Sequence, residues 1–334
     1  MSESVPRIGV IGTGHWGRNH LRNFDALGAL AAFSDTRSAS VEEFSKTYPK
    51  AVPFADPDAL LRHTPLDGVV IASPAATHGE LVRKALNAGK HVFVEKPLCL
   101  DVAEAMALRD DARRRGRILM VGHLLLYHPG FLAVKRIVKA GNLGKLRYIY
   151  SNRLSLGKIR REENALWSFA PHDISMILAL TGAMPTHVMA TGGNYLDDRV
   201  ADTTLSHLTF ADGVQAHVFV SWLHPYKEQK LVVIGGDAMA VFDDTRPAKE
   251  KVLLYRHAVG WSGELPVVTR AEAEAVPFDD SEPLRLECQA FLTAMQTGTP
   301  PPSDADEGVR VLQVLQACQR MLAAGPSAKL EHVS

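Results

Sequence analysis

The chain has 334 residues, 46% of them hydrophobic and 22% charged, and its 37 Lys plus Arg balance its 37 Asp plus Glu. This balance leaves no bulk charge that would favour nucleic acid or an acidic membrane surface. No run approaches the roughly 20 apolar residues that a bilayer-spanning helix requires. The opening MSESVPRIGVIG has no basic-then-apolar leader. We therefore expect a mature cytoplasmic protein that binds neither nucleic acid nor membrane.

The three cysteines, Cys99, Cys288 and Cys318, lie far apart and form no CxxC pair. This spacing is typical of reduced thiols in a cytoplasmic protein rather than of disulfides. The 14 histidines include no HExxH motif and no zinc-type pairing with cysteine. We therefore expect no metal site.

The first part of the chain alternates short apolar runs with amphipathic stretches. The runs are RIGVIG, ALAAFSD, DGVVIASP, KHVFVEKP and RILMVGH. The spacing of apolar residues between them predicts helices near Trp16–Leu27, Ser38–Thr47, Ala76–Ala88 and Val102–Arg115. Strands that are apolar nearly throughout and alternate with helices indicate a parallel sheet covered on both faces. Residues 1–122 are therefore predicted to form an α/β Rossmann domain with a doubly wound parallel sheet.

A glycine-rich turn, GTGHWG, follows the first apolar run and holds Gly12, Gly14 and Gly17 in GxGxxG register. The first glycine permits the tight turn, and the second lets the backbone approach a pyrophosphate. The third allows the helix to pack closely on the strand. His15 and Trp16 lie inside the motif. The pattern predicts a dinucleotide site at the start of the first helix.

Asp35 stands at the end of the second strand. A carboxylate there can accept hydrogen bonds from the adenosine ribose hydroxyls. Its charge would repel a 2′-phosphate, so Asp35 favours NAD. Arg37 could neutralise such a phosphate, which leaves NADP open as the alternative.

Two further loops lie at the carboxyl ends of strands, where open α/β sheets bind their ligands. We expect both to contribute to the cofactor site, through Ser73, Pro74, Thr77 and His78 of ASPAATH and Glu95, Lys96 and Pro97 of VEKPLCL. His78 has the alternative of being a helix-start residue. Lys96 is either a surface charge or a cation held against the nicotinamide.

The second part of the chain carries alternating or β-branched runs separated by short turns, such as VQAHVFVSWL and QKLVVIGG. Asp212 and Gly213, between Phe210 and Val214, indicate a hairpin. Residues 123–334 are therefore predicted to form an α+β domain with a large, mostly antiparallel open sheet.

A few helices should cover one face of that sheet. One is expected to begin at Pro171, and a last helix near residues 305–324 could pack back on the first domain. The face left uncovered predicts a homodimer or homotetramer.

The combination of GTGHWG, VEKP, APHD and two domains resembles the Gfo/Idh/MocA family of glucose–fructose oxidoreductases and inositol dehydrogenases over essentially the whole chain. The resemblance implies that Lys96 is the catalytic lysine, with Pro97 in cis. It also implies that His172 is the histidine of a D-x-G-x-H motif. Ser168 and Ala170 occupy the Asp and Gly positions of that motif. His172 and Lys96 are therefore the remaining candidates for acid–base chemistry.

GHLLLYHP, GHWGRNH and NRLSLGKIRREENALWSFAPHD resemble a narrower group, the bacterial 3-dehydrogenases that act on UDP-N-acetylglucosaminuronic acid in polysaccharide biosynthesis. This resemblance implies an NAD-dependent oxidation of the C3 hydroxyl of a UDP-sugar. One alternative is a dehydrogenase of a free sugar or inositol. Another is a non-catalytic dinucleotide-sensing regulator, because fold alone does not fix function.

Oxidation of an alcohol needs a group that accepts the hydroxyl proton while hydride leaves the carbon for the nicotinamide. A helix beginning at Pro171 would disfavour a cationic His172 through its dipole. We therefore interpret His172 as the base and Lys96 as a cation that stabilises the alkoxide. The positive nicotinamide would also ease deprotonation of Lys96, which leaves Lys96 as the alternative base.

Cations in NRLSLGKIRREEN suit a diphosphate and a uronate carboxylate, and the resemblance favours such anion binding. The alternative is a solvated loop whose cations are offset by Glu162 and Glu163. The substrate-binding candidates are Arg153, Lys158, Arg160, Arg161, Asn164, Ser168 and His172. Three aromatic residues could line the sugar or base site, or could pack in the core: Tyr127, Trp167 and Trp222.

Overall fold

The structure is a computed structural model that describes residues 5–63, 65–157 and 159–325. Packing divides the chain into two compact units. The first takes the described residues of Met1–Tyr127 and Ser281–Leu312, and the second takes those of His128–Asp280 and Gln313–Ser334.

The first unit is built on a parallel sheet. Its strands are β1 (Ile8–Ile11), β2 (Leu30–Ser34), β3 (Val52–Phe54), β4 (Gly68–Ile71), β5 (His91–Glu95) and β6 (Leu119–Gly122). The helices between them are α1 (His15–Ala26), α2 (Ser38–Thr47), α3 (Pro57–Arg62), α4 (His78–Asn87) and α5 (Val102–Arg114). The strand order within the described residues is β3-β2-β1-β4-β5-β6, and every pairing in this sheet is parallel. The predicted doubly wound Rossmann sheet is confirmed, and its strand order reverses between β1 and β4.

The short strand β3 and helix α3 were not predicted from the sequence. β3 is an edge strand of three residues with Pro53 at its centre, and Val52 is exposed. Proline is confined to edges because it cannot donate to a sheet. An exposed edge strand lacks the continuous apolar run by which the other strands are found.

The helix α8 (Pro283–Thr297) belongs to the first unit. The ring of Phe291 lies 5.6 Å from the ring of Phe93 on β5 in an edge-to-face arrangement. Arg22 of α1 forms an ion pair with Glu282, which precedes the first turn of α8. This division differs from the boundary expected at residue 122, because the apolar face of a helix does not reveal which sheet or helix it will contact.

The last helix, α9 (Ala305–Ala324), contains the third change of unit along the chain, since its residues up to Leu312 group with the first unit and those from Gln313 with the second. Val309, Val311 and Leu312 are buried.

The second unit is built on a mostly antiparallel sheet. Its elements in chain order are α6 (Pro129–Lys139), β7 (Leu146–Leu154), α7 (Ala165–Thr181), β8 (His187–Gly193), β9 (Thr203–Thr209), β10 (Gln215–Ser221), β11 (Glu228–Gly235), β12 (Met239–Asp243), β13 (Val252–Tyr255), β14 (Ala258–Ser262), β15 (Leu265–Thr269) and β16 (Ala273–Ala275). Within the described residues the sheet order is β16-β13-β12-β11-β7-β10-β9-β8. β7 and β10 pair in parallel and the other neighbours are antiparallel. β14 and β15 form a separate hairpin.

The hairpin predicted at Asp212 and Gly213 joins β9 to β10. Gly213 has φ +88°, a left-handed conformation that glycine adopts without steric cost. The Phe210 amide donates to the Val214 carbonyl at 2.9 Å.

The two faces of the large sheet differ in burial. One face buries Ile149, Val218 and Phe242, and Gly130 of α6 packs directly against the Phe242 ring. The other face carries a row of directly paired residues that crosses seven strands, which we call the open-face row: Met189, His207, His217, Tyr150, Val232, Val241 and Leu253. The alternation follows from the period of two along each strand.

The helix expected to begin at Pro171 begins six residues earlier, so that expectation was wrong. Asn164 caps α7, because its side chain accepts a hydrogen bond from the Trp167 amide at 3.1 Å. Leu166, Ala170 and Ile174 are fully buried at helical spacing, and this stripe carries the helix past Pro171. A polar cap and a continuous apolar stripe thus outweighed the preference of proline for a first turn.

Candidate active site

The glycine turn between β1 and α1 is shaped by close backbone contacts. Gly12 has φ +86°, and a Cβ there would lie 2.9 Å from the Ala72 backbone. A Cβ on Gly17 would lie 1.9 Å from the Gly12 carbonyl oxygen. A Cβ on Gly14 would meet nothing within 4 Å, so its backbone faces open space. Gly12 and Gly17 are therefore required by close packing within the turn. The absence of a side chain at Gly14 lets a ligand approach the backbone.

The start of α1 suits an anion. Gly14 stands at its N-cap, and within the described chain no side chain caps this helix end. The first-turn amides are therefore available to a phosphate oxygen, and the helix dipole favours negative charge there. His15 is exposed and Trp16 is half-buried beside it. These residues fit the pyrophosphate of a dinucleotide.

Asp35 follows β2 and is bonded on both carboxylate oxygens. Its Oδ2 accepts from the Thr13 amide at 2.8 Å and from the Thr13 hydroxyl at 2.7 Å. The Arg37 guanidinium donates to Oδ1 at 3.0 Å and to Oδ2 at 3.1 Å. Burial acts to raise the pKa of Asp35, but the hydrogen bonds from Arg37 and Thr13 outweigh it and hold that pKa well below the usual value. Asp35 is thus a carboxylate, and the largely exposed Arg37 side chain covers it.

The loop after β4 is held together by its own side chains. The Ser73 and Thr77 hydroxyls are 2.7 Å apart, and the Thr77 hydroxyl donates to the Pro74 carbonyl at 2.8 Å. His78 opens α4 and is buried, so the helix-start alternative describes its position. Its ring nitrogens contact the carbonyl oxygens of Pro97 and Ser73.

The loop after β5 carries Lys96. Glu95, the last residue of β5, is buried and accepts a hydrogen bond from His20 Nε2 at 2.7 Å. Lys96 is half-buried, and the Lys96–Pro97 peptide is cis, as the family resemblance implies. Lys96 therefore lies at the carboxyl edge of the sheet that also carries the glycine turn.

The first unit also buries ionisable side chains that were not predicted from the sequence. His123 forms an ion pair with Glu307, and Glu287 on α8 is fully buried. Burial, together with the charges of Glu95 and Glu307, raises the pKa of Glu287 well above its usual value. The available signal was the position of Glu287, which interrupts the apolar face of α8 three residues after Leu284.

In the second unit His172 lies about two turns into α7 and is half-buried, and Ser168, one turn earlier, is buried. The dipole argument for a neutral His172 therefore lapses, because it required a helix start. The next residue, Asp173, is fully buried and accepts hydrogen bonds from Arg153 at 2.8 and 3.1 Å. Arg153, a substrate candidate, thus has its guanidinium engaged by Asp173.

The loop before α7 shows partners for several substrate candidates. Arg160 pairs with Glu163 at 2.7 Å, as the solvated-loop alternative expects, and Arg161 is exposed. The Asn164 amide, besides capping α7, donates to Gln319 Oε1 at 2.8 Å. Lys158 lies outside the described residues.

The three aromatic candidates differ in their surroundings. Trp222 is fully buried in the core, and burial raises the pKa of Tyr127, whose hydroxyl lies 2.8 Å from that of Ser303. Trp167 donates from Nε1 to Gln319 Oε1 at 3.0 Å.

Residues 5–63, 65–157 and 159–325 contain no group of three His, Cys, Asp or Glu side chains that could hold a metal ion. In the same ranges no helix is both long and apolar enough to cross a membrane.

Comparison with known proteins extends over most of the chain. The model of the Gfo/Idh/MocA oxidoreductase family, described as an NAD-binding Rossmann fold, matches residues 6–123, and that of the Gfo/Idh/MocA C-terminal domain matches residues 131–241. The chain is 31% identical to the UDP-N-acetylglucosamine 3-dehydrogenase of Acidithiobacillus ferrooxidans over 307 residues, which are 92% of this chain and 94% of the relative.

A solved structure of a UDP-N-acetylglucosamine 3-dehydrogenase from Acidithiobacillus ferrooxidans matches with a TM-score of 0.84 and 30% identity, covering 95% of this chain and 97% of that one. The myo-inositol 2-dehydrogenase of Thermotoga maritima is 26% identical over 339 residues, 98% of this chain and 99% of the relative. These matches confirm the resemblance drawn from the motifs. The chain therefore belongs to the Gfo/Idh/MocA oxidoreductase family and is an NAD(P)-dependent dehydrogenase with an NAD-binding Rossmann domain.

Proposed function

We propose that this dehydrogenase oxidises the C3 hydroxyl of a UDP-linked sugar, with NAD as cofactor. The observation that carries the proposal is the 31% identity to a UDP-N-acetylglucosamine 3-dehydrogenase along 94% of its length. The finer substrate inferred from the sequence is UDP-N-acetylglucosaminuronic acid, in polysaccharide biosynthesis. A second candidate is inositol or a free sugar, which the 26% identity to a myo-inositol 2-dehydrogenase favours.

The two catalytic roles are proposed from chemistry. NAD, when bound, supplies the acceptor for the hydride that leaves the sugar carbon. Lys96 stabilises the developing alkoxide by donating a hydrogen bond to it. His172 accepts the hydroxyl proton, for which a neutral imidazole suffices. Lys96 remains the alternative proton acceptor.

The identity of the sugar is where the two UDP-sugar candidates differ. A uronate brings a carboxylate that needs a cation, and bidentate arginine is suited to it. Arg153 is engaged by Asp173 and Arg160 by Glu163, so either would have to exchange its partner to bind that carboxylate. This favours testing UDP-N-acetylglucosamine beside its uronate.

A panel assay tests the proposal. The purified protein is mixed with NAD or NADP and with UDP-N-acetylglucosamine, UDP-N-acetylglucosaminuronic acid, other UDP-sugars, myo-inositol and free sugars, and reduced cofactor is followed by absorbance. We expect turnover with one of the two named UDP-sugars and NAD, and 3-oxo product by mass spectrometry and NMR. Turnover confined to inositol or free sugars would overturn the proposal in favour of the second candidate.

Variants test the assigned residues in the same assay. Lys96→Met should abolish turnover while NAD still binds, because methionine keeps an unbranched side chain of similar length and removes the charge. His172→Gln should lower kcat at least about 100-fold if His172 is the base. Full kcat in Lys96→Met would refute the role of Lys96.

We also propose that copies of the chain pair through the open-face row, in the cytoplasm, as a homodimer or homotetramer. The row is largely apolar and aromatic, and Met189 and Leu205 on the same face are 61% and 42% exposed. Light scattering should show an oligomer for the natural chain and a folded monomer for Met189→Glu/Leu205→Glu. An oligomer that survives this double change would contradict pairing through this face.

A further inference from the structure

The imidazole of His78 lies between two loops at the carboxyl edge of the parallel sheet. Its Nδ1 is 2.7 Å from the Pro97 carbonyl oxygen and its Nε2 is 3.0 Å from the Ser73 carbonyl oxygen. The His78 residue is 1% exposed, and its contact with Pro97 is buried, whereas its contact with Ser73 is partly buried. One side chain thus joins the loop that follows β4 to the loop that follows β5.

The loop after β5 needs such a contact. The register of β5 with β6 ends at Glu95, which pairs with Gly122, so Lys96 and Pro97 lie beyond the sheet ladder. Proline has no amide hydrogen, which leaves its carbonyl as the one backbone group of Pro97 that can form a hydrogen bond. A buried carbonyl without a partner is unfavourable, and His78 supplies the partner.

The protonation state of the ring decides which contact is a hydrogen bond. Burial lowers the pKa of His78, and the hydrogen bonds to Pro97 and Ser73 act in the opposite direction. His78 also opens α4, where the helix dipole disfavours a cation. A neutral imidazole has one N–H and can donate to one carbonyl, and the shorter contact is the one to Pro97.

We propose that His78 is a positioning residue for the dehydrogenase reaction: its Nδ1–H donates to the Pro97 carbonyl and thereby fixes the backbone that presents Lys96. The inference rests on the proposed catalytic role of Lys96. It gives His78 a function other than the direct cofactor contact expected from the sequence.

Two amide substitutions separate the two contacts. The side-chain nitrogen of asparagine takes the place of Nδ1, and that of glutamine takes the place of Nε2. His78→Asn therefore keeps a donor for Pro97, whereas His78→Gln loses that donor and places an N–H only beside Ser73. His78→Phe keeps the ring and removes both contacts.

The matched control is His91, at the amino end of β5. Its Nδ1 accepts a hydrogen bond from the Ile118 amide at 2.9 Å. His91→Phe, like His78→Phe, removes a hydrogen bond between a histidine ring and the backbone. His91 lies on β5, the strand that leads to Lys96, but at the opposite edge of the sheet. His91→Phe should lower thermal stability and leave kcat unchanged.

The kinetic test uses UDP-N-acetylglucosamine and its uronate with NAD. We expect His78→Phe and His78→Gln to lower kcat about 10- to 100-fold, as a small misplacement of a catalytic group does. KM for NAD should stay within about threefold, because ground-state binding is not the interaction removed. His78→Asn should restore kcat to within about threefold of the natural enzyme.

Hydrogen–deuterium exchange gives a readout that needs no substrate. Amides of residues 98–101 should exchange faster in His78→Phe and His78→Gln, but not in His78→Asn or His91→Phe. Unchanged exchange and kcat in His78→Phe would overturn the inference. Equal rescue by His78→Gln would also overturn it, since the Ser73 contact would then suffice. A fully active Lys96→Met enzyme would instead overturn the proposed catalytic lysine itself.

Discussion

Asp173, one residue after His172 in α7, accepts two hydrogen bonds from the guanidinium of Arg153 in β7, at 2.8 and 3.1 Å. Asp173 is fully buried, and the Ser151 hydroxyl donates to it at 2.6 Å. The helix that carries His172 is therefore fastened to the sheet by a buried ion pair. A substitution in this pair acts first on the position and stability of α7.

Arg153→Met leaves the Asp173 carboxylate buried without its cation. We expect the free energy of unfolding in urea to fall by about 3–5 kcal/mol, the usual effect of removing one partner of a buried pair. Arg153→Met/Asp173→Leu should recover much of this loss, because no charge then remains buried. If Arg153 binds substrate instead, KM for the UDP-sugar would rise in both variants while the stability of Arg153→Met stayed near that of the natural chain.

The contact between Asp35 and Arg37 suggests substitutions that should change the preference for NAD over NADP. Asp35→Ser removes the carboxylate, so kcat/KM for NAD should fall about 10-fold and that for NADP should rise. Arg37→Ala leaves the Asp35 charge uncovered, so NADP should be used less well while NAD is little affected. Steady-state kinetics with both cofactors measure these changes. Parallel changes for NAD and NADP in both variants would show that this pair does not discriminate between them.

Substitution of the arginines that precede α7 distinguishes a charged UDP-sugar substrate from an uncharged one. Arg160→Gln/Arg161→Gln should raise KM for a UDP-sugar about 10-fold or more, since arginine contacts to a diphosphate are charge-assisted. KM for NAD should not change, and added salt should shrink the effect. Arg246→Gln, an exposed residue of the same unit, is the matched control. An unchanged KM would favour the solvated-loop alternative.

Asp244 predicts a loss of stability in acid. Burial acts to raise the pKa of Asp244, but hydrogen bonds from His128 and Lys251 lower it from 3.8 to about 2. Because the folded pKa lies below the unfolded one, the stabilisation is present above pH 4 and is lost as the pH falls toward 2. Near pH 6 the free energy of unfolding in urea should be about 2 kcal/mol higher for the natural chain than for Asp244→Asn, because one pKa unit corresponds to about 1.36 kcal/mol. The difference should shrink near pH 3, and a constant difference would contradict the pKa assignment.

The sequence by itself determined the Rossmann unit and the location of Lys96. Strands buried on both faces must be apolar throughout, and GTGHWG has glycines where no Cβ fits beside Ala72 and the Gly12 carbonyl. Such requirements act over a few neighbouring residues, so they remain visible in the order of the amino acids. The hairpin at Gly213 was predicted for the same reason.

The tertiary structure decided which side chains pair across long separations. The pairing of Arg153 with Asp173 and the contact of His78 with Pro97 join residues 20 and 19 positions apart. The burial of Glu287 and the assignment of α8 to the first unit likewise depend on which elements pack against that helix. An isolated cation or imidazole in a sequence can serve a ligand or a buried partner equally well. The choice is made only when folding removes the side chain from water and brings a specific acceptor within hydrogen-bonding distance.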